Sequence, residues 1–179
     1  KKELWVISHL YEPLIDDNSN GVIGSIAILK TLRKLRDEGT IRLKYSVRLV
    51  FASEMYGTAA VAEYFGGDLS KRCIGAINTD GTTGSTDKSV YNEYNIVQAP
   101  NLPGFVGNII MDSVCERFLD CFPETKFVQM GCRFIDDMFL SEPTTGLPTV
   151  WYLHTSKGKH HHSSQDEDSM DIESVIKHL

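Results

Sequence analysis

Three short apolar runs each end beside a side chain able to hold a metal ion, and helical segments separate them. Leu4–Ser8 (Leu-Trp-Val-Ile-Ser) is continuously apolar, as a strand buried on both faces requires, and His9 follows it. Tyr45–Ala52 carries Val47, Leu49, Val50 and Phe51, and Glu54 comes just after. Cys73–Thr79 is a third strand, closed by Asp80-Gly81. Between the first two, Val22, Ile23, Ile26, Leu29, Leu32 and Leu35 recur at helical spacing. That predicts a helix over Val22 to Leu35, capped by Ser19 or Asn20, with Gly39 in the turn beyond it. Thr58–Phe65 reads as a short helix ended by Gly66-Gly67. Strands alternating with helices predict an α/β fold, with a mainly parallel (mixed) central sheet covered on both faces. Ligands of such sheets lie beyond the carboxyl ends of the strands. Three unrelated segments therefore bring His9, Glu54 and Asp80 to one rim.

The rest of the chain continues the pattern. Tyr94–Val97, Lys126–Met130 and Pro148–Leu153 read as strands. Pro103–Phe122 reads as a long helix with Phe105, Ile109, Ile110, Val114, Phe118 and Leu119 on one side, and Asp171–Leu179 as a terminal helix. No repeat or linker interrupts residues 1–179, so a single domain is expected. The net charge of −6 argues against a nucleic-acid partner and against a basic membrane-surface helix. No apolar run approaches the roughly 20 residues that span a bilayer. Cys73, Cys115, Cys121 and Cys132 show no Cys-x-x-Cys spacing, which argues against a thiolate zinc site. Cys115 and Cys121, in the amphipathic helix, are expected as buried thiols. Nothing demands disulfides, so a reducing, cytoplasmic compartment is the default, with an exported parent protein left open.

Each polar candidate has an ordinary structural alternative. A histidine after a strand commonly satisfies a hydrogen bond, Asp17 can form an Asx-turn or cap, and Asp80-Gly81 is a common turn pair. Their order along the chain is more informative. His9 is followed by Asp17-Asn18-Ser19-Asn20-Gly21, then Glu54-Met55-Tyr56-Gly57, then Asn78-Thr79-Asp80, and last His162-Ser163-Ser164-Gln165-Asp166. In this order the motifs resemble metallopeptidase family twenty-eight. These two-zinc aminopeptidases have leucyl aminopeptidases, glutaminyl cyclases and the transferrin-receptor ectodomain among their relatives. The stretch from Asp136-Asp137-Met138-Phe139 to Gly146-Leu147-Pro148-Thr149 is also similar to the family's segment before its last histidine.

The resemblance implies a phosphorylase/hydrolase-like zinc exopeptidase fold. It implies His9, Asp17, Asp80 and His162 as metal ligands, with Asp17 bridging two ions, Glu54 as general base and Asp166 behind His162. It implies zinc as cofactor and a peptide or small amide as substrate. Imidazole and carboxylate donors suit zinc, and a metal can bring a water to reactivity near neutral pH. Two positions depart from the family pattern. Met55 stands where the family has a second glutamate, a ligand of the second ion, and a thioether is a poor partner among hard oxygen donors. Tyr11 stands where the family has an aspartate that orients the first histidine. One ion or two are therefore both compatible with the sequence, the second site being the weaker. A single-zinc acyl transfer like that of the glutaminyl cyclases, or a metal-poor binding domain, are the alternatives. Family domains also usually place one or two strands before the one ending in this histidine, so N-terminal strands are expected to be missing here.

Overall fold

A computed structural model describes residues 2–10, 18–80, 95–123, 125–130 and 136–154. Among the described residues, six strands and five α-helices are laid out in the order β1 (Glu3–His9), α1 (Ser19–Asp37), β2 (Ser46–Ala52), α2 (Tyr56–Phe65), α3 (Leu69–Arg72), β3 (Cys73–Thr79), β4 (Asn95–Pro100), α4 (Gly107–Cys121), β5 (Lys126–Met130), α5 (Asp136–Ser141) and β6 (Thr149–His154), with a 3₁₀ turn at Gly66–Asp68. The strands form one sheet in the order β2-β1-β3-β6-β4-β5. β2, β1, β3 and β6 run parallel, whereas β4 pairs antiparallel with β6 and takes β5 with it. The mixed α/β sheet expected from the alternation is present, and its four parallel strands share one carboxyl rim.

Successive strand residues point to opposite faces, and two cores follow from that. Trp5, Ile7, Cys73 and Ala76 pack with Leu69, Leu140 and Leu147 under α2, α3 and α5. Ile77, Ala99 and Val150 pack with Met111 and Cys115 of α4. α1 lies on the α4 side, where Ser25 Oγ meets Thr79 Oγ1 at 2.8 Å. The chain leaves β1 for β2 on one side and returns to β3 on the other, which makes the end of β1 a topological switch point.

Two local expectations are corrected, the cap of α1 and the burial of Cys121. α1 begins at Ser19, and neither Ser19 nor Asn20 caps it; the N-cap position is Asn18, whose side chain makes no cap bond. The helix buries Asn20, Gly21, Gly24 and Ser25, while Ile23 and Ile26 are exposed. Small residues let its first two turns lie close to the strand ends, and that proximity outweighs the apolar stripe in choosing the inward face. α4 likewise turns Gly107, Met111 and Cys115 inward and leaves Ile109 and Ile110 exposed. Cys121 is exposed rather than buried, one helical face away from Cys115. The terminal helix at 171–179 and Cys132 lie outside the described residues.

At the open end of the sheet, Arg48 of β2 clasps Glu3 of β1 through two hydrogen bonds of 2.6 and 2.7 Å. Hydrogen bonding to Arg48 lowers the Glu3 carboxyl from 4.5 to about 2. A depressed folded-state pKa stabilises the protein above the unfolded value and loses that contribution as pH falls through the folded one. Glu3→Gln is therefore expected to flatten the acid limb of stability between pH 4.5 and 2. Urea midpoints measured across that interval check it.

Candidate functional site

His9 and Asp80 emerge side by side from adjoining parallel strands. Ile7 pairs with Asn78 in the β1–β3 ladder and His9 pairs with Ala52 in the β1–β2 ladder, so the same register carried two residues further brings Asp80 level with His9. Both are buried, at 2% and 5% exposure, although polar residues after strands are usually solvated. Trp151 Nε1 donates to the Asp80 carbonyl at 3.2 Å, fixing the backbone where β3 ends. An opening of about 160 Å³ beside His9 is walled by Leu10, Ser19, Val22 and Ile23. A larger hollow of about 510 Å³, between α2 and α5, contains none of the candidate donors.

Asn18 accounts for part of the Asp-Asn-x-x-Gly segment. Its Nδ2 donates to Ser8 Oγ at 2.9 Å and to the Thr79 carbonyl at 3.1 Å. Ser8 Oγ also donates to that carbonyl at 3.0 Å. The start of α1 is thus tied to the ends of both strands that carry His9 and Asp80. Gly21 is required by the same closeness, because a Cβ there would lie 2.2 Å from the Thr79 carbonyl oxygen and 2.3 Å from Asn18 Oδ1.

Glu54 precedes an unusual turn. Met55 has φ 55° and ψ −61°, and the Tyr56 amide donates back to the Glu54 carbonyl at 2.5 Å. This is a γ-turn of the rare, strained kind. Such strain costs on the order of 1–3 kcal/mol and persists only where surrounding contacts hold it. Gly57 closes the turn tightly, since a Cβ there would fall 2.6 Å from Ala52 Cβ. Asp136 supplies the holding contacts. Its Oδ1 accepts the Met55 amide and the Thr58 hydroxyl, each at 2.7 Å, and its Oδ2 lies 3.8 Å from His9 Nδ1. Sequence reading gave Asp136 no role; the only signal was its place in the stretch similar to the family's segment before the last histidine.

Asp17, His162, Asp166 and Tyr11 lie outside the described residues. Among the described residues no group of three or more His, Cys, Asp or Glu side chains is gathered to hold a metal. The donors that are described still suit zinc in kind: an imidazole and a carboxylate, buried at neighbouring strand ends, with Glu54 two residues beyond the end of the adjoining strand β2. Among the described residues they number fewer than the three protein ligands that a catalytic zinc keeps. Cys73 and Cys115 are poor candidates for chemistry, because burial raises Cys73 to about 11 and Cys115 to about 12, keeping both as neutral thiols.

Neither a protein-family model nor a curated protein matches the chain in sequence. Solved structures do match in shape. A peptidase candidate from Clostridium acetobutylicum superposes with a TM-score of 0.74 at 18% identity over 99% of this chain. An aminopeptidase from Aneurinibacillus sp. strain AM-1 gives 0.72 at 16% identity over 99%. BSAP, a zinc aminopeptidase from Bacillus subtilis, gives 0.67 at 16% identity over 98%. The chain has the fold of these peptidases. It spans only 39%, 41% and 43% of their respective lengths. Among the described residues no helix is long and apolar enough to cross a membrane.

Proposed function

We propose that residues 1–179 form a single catalytic domain of a metal-dependent, aminopeptidase-like hydrolase with a phosphorylase/hydrolase-like zinc exopeptidase fold. It would act on the N-terminal residue of a peptide or on a related small amide. The observation that carries this reading is the burial of His9 and Asp80 at adjoining strand ends, at the switch point of a sheet shared in shape with aminopeptidases. His9, Asp17, Asp80 and His162 would hold zinc, and Asp166 would stand behind His162. Zinc, when bound, supplies Lewis acidity toward the scissile carbonyl and makes a water acidic enough to react near neutral pH.

The chain's own residues do the rest. Glu54 takes the proton of the attacking water and returns it to the departing amine, a task that suits a carboxylate held by a rigid turn. His9 and Asp80 stay fixed because each is enclosed at a strand end, so the ligands need little reorganisation on metal binding. The wall of Val22 and Ile23 beside His9 suits a small apolar group.

Position 55 favours a single firmly held ion, since methionine replaces a carboxylate there. Zinc titration of metal-free protein, followed by assay on amino-acid amides, tests the proposal. One tight site and zinc-dependent hydrolysis are expected in the wild type. Met55→Glu is expected to add a second site and to raise hydrolysis. A wild type that binds no zinc would refute the metallohydrolase reading, and two tight wild-type sites would refute the weak second site.

A further inference from the structure

We propose that Asp136 is a positioning residue that couples the histidine at the end of β1 to the turn bearing Glu54. Asp136 belongs to the short helix α5, yet both its oxygens face groups from distant parts of the chain. Oδ1 accepts the Met55 amide, 81 residues away, and the Thr58 hydroxyl, 78 residues away. Oδ2 faces His9 Nδ1 at 3.8 Å, and the side chains of His9 and Asp136 are each 1% exposed. At that distance the contact is electrostatic rather than a formed hydrogen bond. A carboxylate on the Nδ1 side favours the imidazole tautomer with its proton on Nδ1, which leaves the Nε2 lone pair for a metal.

This assignment fills a gap in the sequence pattern. Tyr11 removes the carboxylate that would stand two residues after His9. Asp136 brings a carboxylate oxygen to within 3.8 Å of Nδ1 of the same ring. Its own placement is secure: Leu140 is buried, and Ser141 Oγ accepts the Thr149 amide at 3.1 Å and donates to the Thr149 carbonyl at 3.3 Å. α5 is thereby anchored to β6, and β6 to β3. Met55 stays in its strained conformation because Asp136 holds its amide. One carboxylate therefore sets both the ring of His9 and the direction in which Glu54 leaves the chain. The catalytic meaning rests on the metallohydrolase reading above; the coupling itself does not.

Metal-free protein tests the coupling without reference to activity. In the wild type at a pH where His9 is neutral, ¹⁵N NMR is expected to show the Nδ1-protonated tautomer and hydrogen exchange a protected Met55 amide. Asp136→Asn keeps an oxygen for Met55 and Thr58 but places an amide N–H opposite His9. It should preserve the slow Met55 exchange and shift His9 to the Nε2-protonated tautomer. Asp136→Ala should also speed Met55 exchange by about tenfold or more; if it fails to fold, Thr58→Val serves, with a smaller increase in the same direction. Zinc affinity should fall by about 10–100-fold in Asp136→Asn. An unchanged tautomer in Asp136→Asn, or unchanged Met55 exchange in the folded Ala or Val variant, would overturn the coupling. A wild type that binds no zinc, together with variants that show both NMR changes, would refute the metallohydrolase reading while leaving the coupling intact.

Discussion

Replacing Glu54 by Gln is expected to lower turnover of an amino-acid amide by about 10²–10⁴-fold, the usual contribution of a positioned general base. Zinc content should stay unchanged, because the amide occupies the same volume and the proposed ligands are other residues. The γ-turn should also survive, since it is closed through the Glu54 carbonyl and not through the carboxylate. Elemental analysis and initial rates on one preparation separate the possibilities. A fall in zinc content would mean that Glu54 has taken over the ligand duty vacated at position 55. Wild-type turnover at wild-type zinc content would remove Glu54 from the chemistry altogether.

Gly21→Ala should have the largest effect on stability of any single methyl added near the rim. The new Cβ would meet a backbone oxygen at 2.2 Å, and the Thr79 carbonyl cannot retreat without disturbing β3 and its bond from Asn18. Overpacking of this sort costs about 1–3 kcal/mol and sometimes more. For a chain of this size that corresponds to a fall in Tm of roughly 2–12 °C. Asn18 would also be pushed off Ser8 and Thr79, so zinc affinity should weaken with stability. Thermal melts of the metal-free and zinc-loaded variant test both effects. A melt matching the wild type would show that α1 does not approach the strand ends as closely as 2.2 Å implies.

Much of the fold was legible because strand signals are local. A continuous apolar run such as Leu4–Ser8 has few uses other than a buried strand, and Cys73–Thr79 was bounded correctly at both ends. Parallel strands joined by helices leave their carboxyl ends on one rim, so the sequence alone placed His9, Glu54 and Asp80 there. The motif order went further, naming Asp17 and His162 as their companions. Both lie outside the described residues.

Tertiary structure decided what depends on distance between segments. α1 carries Val22, Ile23, Ile26, Ala27, Ile28 and Leu29, a stripe too broad to pick one face, and the close approach of Gly21 and Ser25 to Thr79 picked it instead. Cys121 was misplaced for a similar reason, since periodicity reports that a helix has a face but not how deeply each position lies. The γ-turn at Met55 has no local sequence signature, because methionine has no preference for positive φ. Asp136 was unreadable as a partner of His9 and Met55, because a hydrogen bond across 81 residues exists only once α5 is anchored on β6. Sequence fixes which side chains reach the rim; packing fixes how they are held there.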